Sequence, residues 1–504
     1  MADLKEVNNS AEVDDIPEFA KETPLLNQIL SEMRIDKKSE KQYDENKEYI
    51  KDLIRLLLQS GEGKDEVSAK KVDEMISSID EMLSLQMDAI LHDPKFQKLE
   101  STWRSLKFLV EEIDSPENTK IEILNITEDE LRTDFEISMA FTKSKLYDIA
   151  YTKEYGTFGG EPYTAMIGNY EFGYKDSDIS LLKNFANIGA MAHAPFIAGV
   201  RPDMFGEGMT DFTNISNLRD LKSIFSGNQY IDWRELREED HSRYLGLALP
   251  RFLLRLPYVQ ESVFVNRFQY EEDVSQSHED YLWGNAAFAF ATRLIDSFAK
   301  HGWCTNIIGP QGGGALWNLH THKYESMGEI QIKPPTELEI SGKREVELSE
   351  EGFIPLTWRR HSNNAAFFSA NSLLKPKRFP DTKEGREAQT NFKLSTQLPY
   401  MFIVNRLAHY TKVYQMENIG TWKERGDLER ELNKWIQQYV ANQENPSTSI
   451  KNRRPLKKAQ ISVKDVPGDP GWYGVQIDVT PWYKYMGAYF TLSLVGKLDK
   501  GEEK

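Results

Sequence analysis

The sequence predicts a mixed α/β fold: an α/β core preceded by a helical hairpin and followed by a C-terminal unit of helices and an antiparallel β-meander. Three observations predict it. Apolar residues recur every three or four positions through 66–114, strand-like and helix-like segments alternate over 116–375, and three period-two runs close the chain.

The elements follow in order. Residues 1–24 are acidic and weakly apolar, so the expectation is a mobile arm that cannot offset its own ordering entropy. A short amphipathic helix follows over Leu25–Met33. Val72, Met75, Ile76, Ile79, Met82, Leu83, Met87, Ile90 and Leu91 mark a one-sided helix that Pro94 ends. Phe96, Leu99, Trp103, Leu106, Val110 and Ile113 repeat with heptad-like spacing. The pair reads as a hairpin packed on the core or docked on a second chain.

In the core, Lys120–Ile126, His193–Val200 and Trp303–Ile308 read as strands, and Pro162–Gly168 as extended. Thr127 with Glu130 forms a capping box, and Tyr281–Phe298 reads as a strong helix. The alternation implies a mostly parallel sheet. Beyond Lys375–Gly385, helices are expected over Leu398–Tyr414 and Leu428–Val440, then a polar connector, Ala441–Ile450. In the meander, Ala459, Ile461 and Val463 lie on one face of the first strand. Tyr473, Val475, Ile477 and Val479 share a face of the second, and Phe490, Leu492 and Leu494 a face of the third. The expected division is 1–65, 66–115, 116–385 and 386–504.

Composition bounds the function. The 504 residues allow three or four packing units at ~150 per domain. Lys+Arg 62 against Asp+Glu 79 leaves a net charge of −17, which argues against a general binder of nucleic-acid backbones. The lone cysteine, Cys304, excludes an internal disulfide framework and suits a reducing compartment. The first residues have neither a basic n-region nor an apolar h-region, and no apolar run approaches the ~18–20 residues that span a bilayer. The expectation is a soluble cytoplasmic protein.

No catalytic constellation emerges. Gly309-Pro-Gln-Gly-Gly-Gly314 lacks the Lys-Ser/Thr ending of a mononucleotide loop, so a turn needing positive φ or close backbone packing is the better reading. His320 and His322 lack the further ligands of a metal motif. Cys304 reads as a buried, inert thiol. No G-x-S-x-G elbow is present. No cofactor, metal or catalytic residue is assigned.

Charge marks two further places. Arg251 and Arg255, four apart in an apolar run, share a face if helical and need carboxylate partners, within the chain or across a subunit interface. Lys451, Arg453, Arg454, Lys457 and Lys458 form a basic cluster, either a solvated linker or a dock for an acidic neighbour, with no aromatic platform interleaved. The meander leaves two edges, to be capped internally or completed by strand addition from neighbours.

Several blocks carry a resemblance. They are His92-Asp-Pro-Lys-Phe-Gln-Lys-Leu-Glu-Ser-Thr-Trp-Arg-Ser-Leu106, Ala194-Pro-Phe-Ile-Ala198, and the run Tyr244–Tyr258. Trp283-Gly-Asn-Ala-Ala-Phe-Ala-Phe-Ala291, Gly302-Trp-Cys304 with Gly312–Gly314, Ala365-Ala-Phe-Phe-Ser369 and Lys375-Pro-Lys377 extend it. Leu428-Glu-Arg-Glu-Leu-Asn-Lys-Trp-Ile436, Arg454-Pro-Leu456 and Val466-Pro-Gly-Asp-Pro-Gly-Trp-Tyr473 complete it. Over roughly 66–500 the chain resembles the large sheath subunit of type VI secretion systems, the VipB/TssC/ImpC/EvpB/IglB family.

The resemblance implies a phage tail sheath-like fold and a contractile cytoplasmic tube in bacteria, without enzymatic activity. It implies co-assembly with a small sheath subunit of the VipA/TssB kind and with neighbouring copies of that heterodimer. It further implies an inner tube of Hcp-like hexamers, a baseplate, and recycling by an AAA+ ATPase. The family's exchanged C-terminal strands match the open meander. Ala441–Ile450 and the N-terminal arm are then candidate tethers. The rival readings are a phosphoryl-ligand enzyme using the Gly309–Gly314 turn and a non-contractile baseplate or scaffold protein.

Overall fold

The computed structural model describes residues 69–113, 118–213, 215, 218, 220–259, 268, 270–326, 328–466 and 472–484. The acidic arm, the Leu25–Met33 segment, the turn at 467–471 and the third run of the meander lie outside the described residues. Two compact units are found, 1–87 with 260–270 and 88–259 with 271–504. Helix α1 (Ala69–Leu91) belongs mostly to the first, and the helices and strands after it belong to the second.

Helix α2 (Pro94–Glu111) starts at Asp93, whose carboxylate accepts from the amides of Lys95 and Phe96. Its buried residues are Ser105 and Leu109, with Phe108 packed on Phe252. The heptad-like stripe faces elsewhere, leaving Leu99 56% and Trp103 64% exposed. Helix α3 (Glu128–Ser138) begins at the expected capping box, with the Thr127 amide donating to Glu130 and the Glu130 amide to Thr127 Oγ1.

The core sheet has six strands: β1 (Met166–Phe172), β2 (Phe196–Val200), β3 (Leu245–Leu249), β4 (Ala315–Leu316), β5 (Phe353–Trp358) and β6 (Ala365–Phe367). Their order is β1-β2-β3-β5-β6-β4. The first four in that order are parallel, and β6 pairs antiparallel with β5 and β4. Parallel strands need crossovers and burial on both faces. Alternate residues accordingly enter two cores. Phe196, Ala198, Leu245, Leu247 and Phe353 meet helices α4 (Asp176–Ala192), α5 (Ile231–Glu238) and the segment Gly342–Glu350. Ile197, Ala248, Ile354 and Leu356 meet α6 (Ala286–His301) and the start of α7 (Leu398–Asn418). Gly246 permits that second contact: a Cβ there would stand 2.7 Å from Ile197 and 3.2 Å from Leu398.

Three sequence expectations change. Helix α6 starts at Ala286, because Asn285 caps it and Trp283–Gly284 pairs with Phe252–Leu253. Trp303–Ile308 is a turn segment, not a strand, following Gly302 in the left-handed region at φ 74°. Ser297 Oγ donates to the Trp303 carbonyl and accepts from the Asn306 amide, so a helix side chain replaces a ladder. Lys120–Ile126 has no regular secondary structure and joins no ladder among the described residues.

A third core builds the C-terminal unit. Helix α8 (Arg425–Gln437) lies over an antiparallel pair, β7 (Leu456–Asp465) and β8 (Tyr473–Pro481). Leu432, Ile436, Ile461 and Val463 are buried there with Tyr400, Ile403 and Leu407 of α7. Trp303 enters this core edge-on to Tyr439 and donates from Nε1 to the Arg453 carbonyl at 3.2 Å. One indole thereby ties the sheet domain to the C-terminal unit. The connector is not slack: the Ala441 amide donates to the Leu456 carbonyl at 3.0 Å, and Thr448–Arg453 is helical. That removes Ala441–Ile450 as a ten-residue tether.

Phe353 is fully buried and stacked on Trp233 at 5.7 Å between centroids. Phe353→Ala is expected to cost about 3–5 kcal/mol, read from the midpoint of denaturant unfolding of the purified chain.

Candidate assembly interface

Edge strands present unpaired backbone groups, so the two sides of the β7–β8 pair decide what this unit can do. Antiparallel partners alternate between hydrogen-bonded and non-bonded pairs. Ile461 lies opposite Ile477, Val463 opposite Val475 and Ala459 opposite Val479. The amide and carbonyl of Ile461 both turn away from β8, to Asn433 of α8. By the alternation, the backbone groups of Tyr473, Val475, Ile477 and Val479 turn to the outer side of β8. Their side chains lie on the α8 side of the sheet, with Tyr473, Ile477 and Val479 half-buried in the third core and Val475 37% exposed.

The β7 side is closed by the chain itself. Asn433 Nδ2 donates to the Ile461 carbonyl at 2.7 Å, and Asn433 Oδ1 accepts from the Ile461 amide at 2.9 Å. Gln437 donates to the Ala459 carbonyl at 3.0 Å, and Glu429 accepts from the Val463 amide at 3.2 Å. Arg425 meets the Asp465 carboxylate at 3.3 Å. Of the two edges expected to be available, β7 is therefore occupied, and β8 has no strand on its outer side among the described residues. Phe490, Leu492 and Leu494 lie outside the described residues.

The basic cluster runs along the start of β7. Arg453, Arg454, Lys457 and Lys458 are exposed, and none is ion-paired to a carboxylate among the described residues. Lys451 and Lys457 flank the Trp482 ring at 5.1 and 5.4 Å. That aromatic comes from beyond β8, which is why local sequence does not show it.

Arg251 and Arg255 are not on a helix. They flank the short strand Phe252–Leu253 and diverge to different carboxylates of the same chain. Arg251 makes two 2.8 Å bonds to Glu337 and meets Glu279 at 2.8 Å. Arg255 meets Glu272 at 2.5 Å and Glu100 at 2.9 Å. Glu100, Glu272, Glu279 and Glu337 are scattered over the sequence, so only the fold reveals the network. Burial pushes the Glu337 carboxyl up, but the hydrogen bonds from Arg251 and the nearby His278 imidazole outweigh it and hold the group down at about 2 from 4.5.

The remaining sequence candidates are structural. Gly309 and Gly313 have φ of 76° and 93°. The amides of Gly312 and Gly314 donate to the Gly309 carbonyl, and that of Gly309 to the Phe367 carbonyl. These donors hold the turn on β6 instead of converging on an anion. A Cβ at Gly313 would stand 2.1 Å from the Asn306 carbonyl, so valine there would break the turn. His322 pairs with the Tyr281 hydroxyl at 2.9 Å, and no group of three or more candidate metal ligands occurs among the described residues. Burial pushes the Cys304 thiol up to about 12.

The tail sheath N-terminal domain of the EvpB/VC_A0108 family matches residues 73–374, and its tail sheath gpW/gp25-like domain matches 387–498. The chain belongs to this sheath family. It is 38% identical over 439 residues to the type VI secretion system sheath protein TssC1 of Pseudomonas aeruginosa, covering 86% of this sheath chain and 87% of that one.

Solved structures resemble the sheath chain only loosely. The anti-feeding prophage baseplate has a TM-score of 0.36 at 6% identity, covering 63% of this chain and 65% of that one. The contracted helical sheath of the same particle has 0.34 at 8%, covering 74% and 76%. The gpW/gp25-like match contains α8, β7 and β8, the elements that make the edge.

A carboxyl held below its unfolded pKa stabilises the fold above the unfolded value, and this is lost as pH falls through the folded one. Glu337→Gln should therefore be less stable than the natural chain near neutrality. The gap in unfolding free energy should narrow as pH falls from 4.5 towards 2. Denaturant titrations at several pH values check this.

Proposed function

We propose that this sheath chain is the large structural subunit of a bacterial type VI secretion contractile sheath, joined to its neighbours by strand addition on the outer edge of β8. The observation that carries the reading is the asymmetry of the C-terminal sheet. One edge is filled by α8 and the other turns the backbone groups of Tyr473, Val475, Ile477 and Val479 outward. Main-chain hydrogen bonds join protomers with few sequence-specific side-chain contacts, which suits a helical polymer built from one repeated unit.

The chain co-assembles with a small sheath subunit in the cytoplasm, and the heterodimers stack around an inner tube of secreted hexamers on a baseplate. The extended lattice is metastable. Contraction exchanges side-chain interfaces between protomers while the strand links persist, and no nucleotide is consumed by this chain. An AAA+ ATPase dismantles the contracted form. The exposed row Arg453, Arg454, Lys457 and Lys458 meets an acidic face of a neighbour, and Arg251 and Arg255 keep the core rigid through intrachain pairs.

Two measurements test this. Val475→Pro removes an amide that faces the outer edge and no bond to β7, so the variant should fold yet form no tubes when co-expressed with the small subunit, as seen by electron microscopy. Deleting residues 489–504 should likewise abolish tubes. Intact tubes from both would refute the strand link. Small closed particles from the natural chain would instead favour a baseplate component.

A further inference from the structure

The row on α8 does more than pack a helix on a sheet. Four helical residues rise about 6.0 Å and two strand residues about 6.6–6.8 Å. A helix laid antiparallel to an edge strand can therefore place every fourth side chain opposite every second backbone unit. Here Arg425, Glu429, Asn433 and Gln437 stand opposite Asp465, Val463, Ile461 and Ala459. The small mismatch per step accumulates away from the middle, and the side chains follow it. The short Asn433 sits at the centre, with longer ones on either side.

Asn433 both accepts from the Ile461 amide and donates to its carbonyl, the two bonds that a hydrogen-bonded residue of a third strand would make. Beyond Gln437 the backbone takes over. The Leu456 amide donates to the Tyr439 carbonyl at 3.3 Å, and the Ala441 amide to the Leu456 carbonyl at 3.0 Å. The β7 edge is thus met at Leu456, Ala459, Ile461 and Val463, with both groups satisfied at Leu456 and Ile461.

We infer that Glu429, Asn433 and Gln437 act as a surrogate strand that forbids addition at β7 and so fixes the side on which neighbouring sheath chains join. This rests on the strand link proposed above and adds its direction. A sheet with two open edges accepts partners on either side, and a lattice built on it branches. A sheet with one open edge gives each protomer a single acceptor. An apolar residue at 433 would pack equally well but would leave the Ile461 amide and carbonyl seeking partners, which a second copy of β7 supplies edge to edge.

The test uses the full chain co-expressed with its small subunit. Cys304→Ser removes the native thiol, and Gln460→Cys places one at an exposed position of β7. A short bismaleimide then reports whether two β7 strands lie side by side. With the row intact, no 460–460 dimer is expected and tubes remain regular. In N433A/Q437A, covalent dimers should appear and tubes should give way to side-joined, irregular aggregates. Gln437→Glu, an exposed position, sets a carboxylate against the Ala459 carbonyl without removing core packing. It should produce the same dimers in smaller yield, so the surrogate strand is still tested if the double variant fails to fold.

Dimers with the row intact, or regular tubes without dimers from a folded N433A/Q437A or from Gln437→Glu, would overturn the inference. Tubes surviving both Val475→Pro and the 489–504 deletion would sink the strand link instead, while the 460–460 crosslink would still report on β7.

Discussion

Backbone groups at the edge of a sheet have to be met by something, and among the described residues the C-terminal unit of this chain meets them on the β7 side. Along β7 the partners are side chains of α8, spaced by the helical turn so that each falls on an outward-facing strand residue. Along β8 the outward groups are left to whatever strand lies beyond. An unmet polar group costs more than a met one gains, so closure along β7 leaves β8 as the edge on which the proposed strand addition gives the unit a direction. A protein that polymerises needs such a direction more than it needs a tight binding pocket.

The rest of the fold holds that unit in place. The six-stranded sheet is filled on both faces, and its second core takes in the start of α7, whose next turns form the floor of the third core. Trp303 crosses the same boundary. The ion pairs of Arg251 and Arg255 brace the end of β3 against Glu337, Glu279, Glu272 and Glu100. Buried pairs of this kind contribute little net stability but are costly to break, so they favour one arrangement of these segments over others. The features that first suggest chemistry have the same character. The glycine turn spends its amides on nearby carbonyls of its own chain, His322 pairs with a neighbouring hydroxyl, and the one thiol is buried.

Much was legible in the linear chain because it depends on local chemistry. The Thr127–Glu130 capping box, the mostly parallel core, the glycine turn and the period-two runs of β7 and β8 all stand where local rules place them. The sheath family was legible too, from blocks spread over the chain. The misreadings share a cause. Trp303–Ile308 has strand-like composition, but a helix serine satisfies its backbone. The stripe on α2 has core-like spacing, yet Ser105 and Leu109 on another face are what the core receives. The internal carboxylate partners expected for Arg251 and Arg255 are present, but a strand lies between the two arginines and sends them to different glutamates.

What sequence alone determined was the kind of material: helix, strand and turn, the family, and the two paired strands β7 and β8. Which edge is filled was decided only in three dimensions. Glu429, Asn433 and Gln437 are ordinary polar positions on an amphipathic helix, and the glutamates that hold Arg251 are invisible in its sequence neighbours. Periodicity reports which face of an element is apolar. It does not report what lies across from the polar face, because that depends on contacts between residues distant in sequence.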